Sequence, residues 1–365
     1  MQPLLRWAKL SIALAIGFTF TLGALVAAYA VEVTDQRHRT ITFDKLPQRL
    51  VFIPIPAPST FIVIDGNEKK IVGMNGYSAQ AMREGIFGKL FPGFTRIQTN
   101  MTTGGTAENF APNVEAILSL QPDAIFQWAT GNDVISVLDR TGIPVIGMRV
   151  GSFDNYADYV KLMGEVSGKN DRAAELLRRQ EDTRQSLTEK FADFKSSERP
   201  RVLYFNRAMN TLRVSGTGTA QDLTIRLAGG QNAMGETASI STVTIEQILT
   251  WNPQVILLGN FDQAMPSDLY NDPRWRGVDA VRDHRVYRVP LGGYRWDPPS
   301  HESALGWLWL AGLLHPESMQ QNLRKSIRDW FSFLYNYEPA DEEIDTMLFV
   351  KENAVSVGYE RYRAR

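Results

Sequence analysis

Between Arg49 and Val150, short apolar runs alternate with longer stretches of mixed polarity. "RLVFIPI" (49–55), "KIVGM" (70–74), "DAIFQW" (123–128) and "PVIGMRV" (144–150) are rich in Ile, Val and Phe, and enough residues separate them to form helices. This alternation predicts a parallel α/β sheet, because parallel strands need long crossovers that a helix fills. Within "NVEAILSLQ" (113–121), Val114, Ile117, Leu118 and, one turn on, Gln121 recur at helical spacing, and Pro122 stops the helix before the next strand.

A long polar segment follows, "NDRAAELLRRQEDTRQSLTEKFADFKSSERP" (170–200). Ala173, Leu176, Leu177, Thr183 and Leu187 form a helical stripe, Asn170 is placed to cap it, and Ser196 to Pro200 break it. A helix of about 24 residues would be on the order of 36 Å long at 1.5 Å per residue, enough to cross between two lobes. The strand–helix alternation then resumes with "RVLYFN" (201–206), "QVILLGN" (254–260) and "HRVYRVP" (284–290), and "AQDLTIRLAGG" (220–230) reads as a helix closed by glycine. The second half echoes the first: "NVEAILSLQPDAIF" (113–126) aligns without gaps to "TIEQILTWNPQVIL" (244–257). Glu115/Glu246, Ile117/Ile248, Leu118/Leu249, Pro122/Pro253 and Ile125/Ile256 are identical.

These patterns predict two Rossmann-like α/β lobes with central parallel sheets. One lobe is expected over 31–155, a helical connection over 156–199 and the second lobe over 200–365. Ligands of open α/β sheets sit beyond the carboxyl ends of the strands, so the lobes should hold a ligand in a cleft between those ends. Its expected lining is 55–60, 75–79, Trp128-Ala129-Thr130 and Arg149 from the first lobe. The second should contribute Asn206-Arg207, Asn260-Phe261 and the loop 291–297.

Composition changes this picture in three ways. First, Arg6 and Lys9 precede an apolar run from Leu10 to about Ala28 that ends in Ala28-Tyr29-Ala30. A basic region, apolar core and small-x-small site read as a secretory signal over 1–30, although the run is also about long enough to anchor the chain in a bilayer. Second, without those thirty residues 37 basic side chains face 40 acidic ones, a net charge of −3 with no signature of nucleic-acid binding. Third, the chain has no cysteine, which excludes disulfides, thiolate metal ligands, a cysteine nucleophile and a lipidated cysteine. A soluble periplasmic protein that acts as a monomer is the simplest expectation.

Six segments, taken together and in order, resemble the periplasmic solute-binding proteins of ABC importers that carry iron-siderophores, haem and cobalamin. They are "VTDQRHRTITFDKLPQRLVFI" (33–53), "NVEAILSLQPDAIF", "RTGIPVIGM" (140–148), "RVLYFN…LRVSGTGTAQDLTIRLAGGQN" (201–232), "TIEQILTWNPQVILLGN" (244–260) and "DPRWRGVDAVRDHRVYRVP" (272–290). The resemblance implies two lobes bridged by a rigid helix, little hinge motion, no enzymatic activity and no resident cofactor. The cargo would be a chelated metal complex, and the partner an importer permease. It also implies that one acidic side chain on each lobe docks on the permease, and Glu115 and Glu246 occupy those positions. Each also stands in a helix first turn, where the dipole favours a carboxylate by roughly 0.3–1 kcal/mol.

The densest chemistry lies in "GGYRWDPPSHESALGWLWLAGLLHPE" (292–317). Ser300, His301 and Glu302 are consecutive, so their side chains diverge, and no G-x-S-x-G elbow occurs, which argues against a hydrolase built on 297–302. The four histidines, His38, His284, His301 and His315, lack metal-ligand spacing. His301 or Glu302 could still complete the shell of a chelated metal. Chelates that carry carboxylates or conjugated rings call for arginine forks and aromatic planes. Arg149, Arg207 and Arg295 meet that need on cleft loops, with Tyr77, Trp128, Tyr294 and Trp296 beside them. Asp297 is expected to pair with Arg295 or cap a turn, and Ser300 to cap the helix that follows Pro298-Pro299. A bare transition-metal ion or a metal-free organic solute is the alternative cargo.

Overall fold

Each of the β-like runs from 49–55 to 284–290 contains a strand in the computed structural model, which describes residues 30–106, 109–129, 132–149, 151–235 and 239–364. The expected signal, apart from Ala30, and Thr130 lie outside these residues. In the first lobe β1 (Val31–Thr34) and β2 (Thr40–Phe43) form an antiparallel hairpin. The strands β3 (Leu50–Phe52) and β4 (Ile71–Met74) precede a second hairpin, β5 (Thr102–Thr106) with β6 (Asn109–Pro112), and then come β7 (Ala124–Trp128) and β8 (Val145–Met148). The central sheet has the order β4-β3-β7-β8 and is parallel throughout. Every residue of β7 and β8 is buried, as expected for strands covered on both faces.

The second lobe contains β9 (Arg201–Arg207), β10 (Arg213–Ser215), β11 (Gln231–Asn232), β12 (Ile240–Thr242), β13 (Val255–Leu258) and β14 (Val286–Arg288). Its order is β12-β10-β9-β13-β14, with β11 also paired to β9. Strands β9, β13 and β14 are mutually parallel, but β10 and β12 form an antiparallel edge. The centre of the sheet is parallel as expected; the antiparallel strands added at one side are three residues each, too short and too polar to register as apolar runs.

The sequence echo is structural. Helix Val114–Ser119 leads into β7, which pairs with β3, and helix Ile245–Trp251 leads into β13, which pairs with β9. Ile117 and Ile248 are both fully buried under their sheets, and Ile125 and Ile256 take matched places in them. The shared residues thus mark shared core positions.

Two helices, Phe153–Ser167 and Asn170–Lys190, connect the sheets. Gly168 ends the first in the left-handed region at φ 74°. Gly164 lets the pair cross closely, since a Cβ there would meet that of Ala173 at 2.7 Å. The second helix has 21 residues, roughly 32 Å. Asn170 is its first helical residue rather than its cap, and the preceding Lys169 makes no side-chain cap bond. Farther along, Gln180 is buried and donates to Ser300 O at 2.8 Å, which ties this helix to the second lobe. One apolar cluster includes Phe52 and Phe126 of the first sheet, Tyr156, Trp307, and Val202 and Val255 of the second.

Candidate functional site: the interlobe cavity

The carboxyl ends of both sheets border a cavity of about 770 Å³. From the first lobe Ile55 and Pro56 enter it just after β3, Trp128 as the last residue of β7, and Arg149 directly after β8. From the second come Asn206 and Arg207 at the end of β9, Phe261 beyond β13, and Tyr294 and Arg295 beyond β14. Strand direction therefore explains why residues distant in sequence converge here. Tyr156 and Tyr159, on the first connecting helix, complete the floor.

The lining is cationic. Arg149, Arg207, Arg213 and Arg295 all contribute to it, and no Asp or Glu stands among the described lining residues. Arg149 and Arg207 are exposed, whereas Arg295 is largely buried. Its guanidinium bonds Glu84 across the lobes, Nη2 to Oε2 at 2.5 Å and Nε to Oε2 at 3.1 Å, and lies 5.1 Å from the centre of the Phe261 ring. Among the described residues no group of three His, Asp or Glu side chains is arranged to hold a metal ion.

A family profile described as "Periplasmic binding protein" matches residues 105–291. The chain belongs to the periplasmic binding protein family. A periplasmic solute-binding protein of known structure from Veillonella parvula is 30% identical, with a TM-score of 0.80 over 89% of this chain and 98% of its own. The molybdate-binding protein MolA of Haemophilus influenzae is 26% identical over 84% of this chain and 92% of MolA. The Fe(3+) dicitrate-binding periplasmic protein FecB of Escherichia coli is 23% identical over 75% and 87%, respectively. Proteins of this kind are the substrate-binding components of ABC importers: they take up small molecules outside the cytoplasm and work with a permease.

In this binding protein five of the seven expected ligand contacts, Trp128, Arg149, Arg207, Tyr294 and Arg295, lie on the cavity wall. Tyr77 and Trp296 do not. Tyr77 is 57% exposed in the helix Gly76–Glu84, whose N-cap Asn75 accepts its backbone N–H at 2.9 Å. Trp296 is buried behind the loop, where Nε1 donates to Glu302 Oε2 at 2.6 Å.

His301 is also placed away from the cavity, which corrects its expected role toward a metal. It is fully buried, and its Nδ1 and Nε2 lie 3.3 Å from Thr60 Oγ1 and 2.8 Å from the Tyr335 hydroxyl. Burial pushes its pKa down to about 3, so the ring is neutral at any physiological pH. Ser300 Oγ donates to Arg295 O at 3.3 Å rather than to His301. Nor does Ser300 cap the following helix, which begins at Ser303 with Glu302 in the cap position. His301 and Glu302 therefore precede the first turn instead of occupying it. Asp297, expected to pair with Arg295 or cap a turn, is buried, accepts the backbone N–H of Asn260 at 2.8 Å and lies within the field of the Arg295 charge.

Tyr156, Tyr159 and Arg213 are among the lining residues that escape the sequence reading. Tyr156 and Tyr159 share one face of a helix whose sequence reads only as connection, and their i, i+3 spacing is the available signal. Arg213 sits on β10, a three-residue strand without an apolar run.

Glu115 and Glu246 are both exposed in first helical turns. Asn113 caps the first helix through Ala116 N, and Thr244 caps the second in a reciprocal box with Gln247. The Thr244 hydroxyl holds the Glu246 carboxyl below its ordinary range. One turn on, Leu118 and Leu249 are 43% and 38% exposed, so the matched helices present matched acid–leucine pairs.

Proposed function

We propose that this binding protein captures an anionic metal chelate of the iron-siderophore or haem type between its lobes and delivers it to an importer permease. The carrying observation is the cavity itself: about 770 Å³, walled by four arginines and several aromatic rings, with no carboxylate among its described lining residues. That volume falls in the range of drug-sized ligands, and arginine forks suit carboxylate or catecholate oxygens. Trp128 Nε1 and the Tyr159 hydroxyl support the reading. Both are buried at the wall without a hydrogen-bond partner among the described residues, and donors in that condition are normally satisfied by water or ligand. Export with removal of residues 1–30 is part of the proposal.

The similarity to MolA favours a second reading, in which the cargo is a tetrahedral oxyanion such as molybdate. The arginines would serve it equally well. The cavity, however, is far larger than one such ion needs.

For delivery, Glu115 and Glu246 are the proposed contacts with the permease. A helix that leads into a parallel strand runs back along it, which brings its first turn toward the carboxyl ends and hence toward the rim of the cleft. Charge reversal at both sites (E115K/E246K) should abolish uptake in cells while leaving affinity for haemin and ferric citrate, as probes, within about twofold, because exposed charges contribute little to fold stability. Unimpaired uptake would refute the docking role. Failure of the unmodified protein to bind either probe would refute the cargo.

A further inference from the structure

We propose that Glu302 is the positioning residue of the cargo site, acting through the loop 292–296 to set Tyr294 and Arg295 on the cavity wall. The inference rests on the interlobe cavity as the cargo site. The carboxylate is fully buried and, although it stands at the cap position of the helix Ser303–Leu314, it makes no cap bond there. It is turned back instead onto the loop.

Four donors converge on it. Oε1 accepts Gly293 N at 2.9 Å, Tyr294 N at 3.2 Å and the Tyr335 hydroxyl, while Oε2 accepts Trp296 Nε1 at 2.6 Å. An ionised carboxylate offers about four acceptor sites, so this one is saturated. The glycines of the loop are what allow so close a wrap: a Cβ at Gly292 would stand 2.0 Å from Glu302 Oε2, and one at Gly293 would stand 2.7 Å from Oε1. The paired glycines and the acid are thus one device.

Its consequence for the site is direct. Held at 293, 294 and 296, the loop sends the Tyr294 hydroxyl to Ile55 O at 3.2 Å and the Arg295 guanidinium to Glu84, both contacts crossing to the first lobe beside the cavity. Stability does not account for the arrangement. A buried carboxylate is costly unless paired, and no lysine or arginine of the described residues pairs with Glu302. Its neighbour His301, at 3.9 Å, is held neutral by burial. Burial raises the Glu302 pKa to about 7 despite its four donors.

The test compares Glu302→Ala and Glu302→Gln with Leu138→Ala, a buried first-lobe position remote from the loop that serves as a control for stability loss. The backbone N–H groups of 293 and 294 are followed by hydrogen exchange and the Trp296 indole N–H by proton resonance. Affinity is measured with haemin and ferric citrate as probes. In Glu302→Ala these amides should exchange at least about tenfold faster and probe affinity should fall about tenfold, the scale of a lost hydrogen bond to a charged group. The leucine control should change neither at equal loss of melting temperature. Glu302→Gln keeps one oxygen for the backbone pair and should restore affinity to within about threefold while the Trp296 indole resonance still moves. If Glu302→Ala does not fold, the glutamine variant decides: an unmoved indole resonance overturns the proposal. Unchanged loop exchange or unchanged affinity in a folded Glu302→Ala protein overturns it as well. If the unmodified protein binds neither probe, the cargo reading fails separately, and the exchange comparison still decides for or against Glu302.

Discussion

Replacing Arg149 and Arg207 together by alanine should lower affinity for an anionic chelate by at least about 100-fold. The two side chains approach the cavity from opposite lobes, Arg149 directly after β8 and Arg207 at the end of β9. A hydrogen bond to a charged group contributes roughly 1.5–3 kcal/mol, so two such contacts amount to roughly 3–6 kcal/mol, or about two to four decades in Kd. Both arginines are exposed, so the melting temperature should stay within a few degrees of the parent value. Lysine at the same positions should recover part of the affinity, because charge is kept while the planar fork is lost. Titration with haemin and ferric citrate, followed by tryptophan quenching at two salt concentrations, reads all of this. An affinity unchanged in the double variant would mean that these arginines are solvated loop charges.

The second large effect is expected at Gly85, where the lobes touch backbone to backbone. Ile86 N donates to Gly292 O at 3.2 Å, and a Cβ on Gly85 would stand 2.3 Å from that same oxygen and 2.9 Å from Gly293 O. A carbonyl cannot rotate aside as a flexible side chain can, so Gly85→Val must push the loop 292–296 off the first lobe. Overpacking of this kind costs roughly 1–3 kcal/mol, and more where the obstacle is backbone. At roughly 2–4 °C per kcal/mol for a protein of this size, the melting temperature should fall by about 4–10 °C. The functional effect should exceed that of an equally destabilising core change elsewhere, because Tyr294 and Arg295 move with the loop. About a tenfold loss of probe affinity is expected, with Gly85→Ala intermediate. Calorimetry and the same titration check both, and an intact affinity in the valine variant would show that the loop tolerates displacement.

The legible parts of the molecule are those in which burial and periodicity coincide. Strands β3, β4, β7, β8, β9, β13 and β14 are apolar runs because a two-sided parallel sheet demands it. The echo of 113–126 in 244–257 was readable because the same buried isoleucines serve both lobes. The antiparallel strands β10 and β12 and the hairpins β1–β2 and β5–β6 were not, since such short strands leave no continuous run. The site divides in the same way. Arg149, Arg207, Tyr294 and Arg295 could be placed because the carboxyl end of a strand is a defined location. Whether a side chain on the loop after β14 faces the cavity or the core could not be read from spacing, and there Trp296 and His301 turned inward. Glu302, offered by the sequence as a contact to a chelated metal, instead bonds the loop it follows.

The central claim, a cationic interlobe cavity built for an anionic metal chelate, is tested most directly by native mass spectrometry of the protein purified from its own extracytoplasmic compartment, with elemental analysis of the same sample. The expected result is one equivalent of an adduct containing both a metal and an organic ligand, released when Arg149 and Arg207 are replaced. An adduct without metal, or a bare oxyanion without an organic ligand, would contradict it.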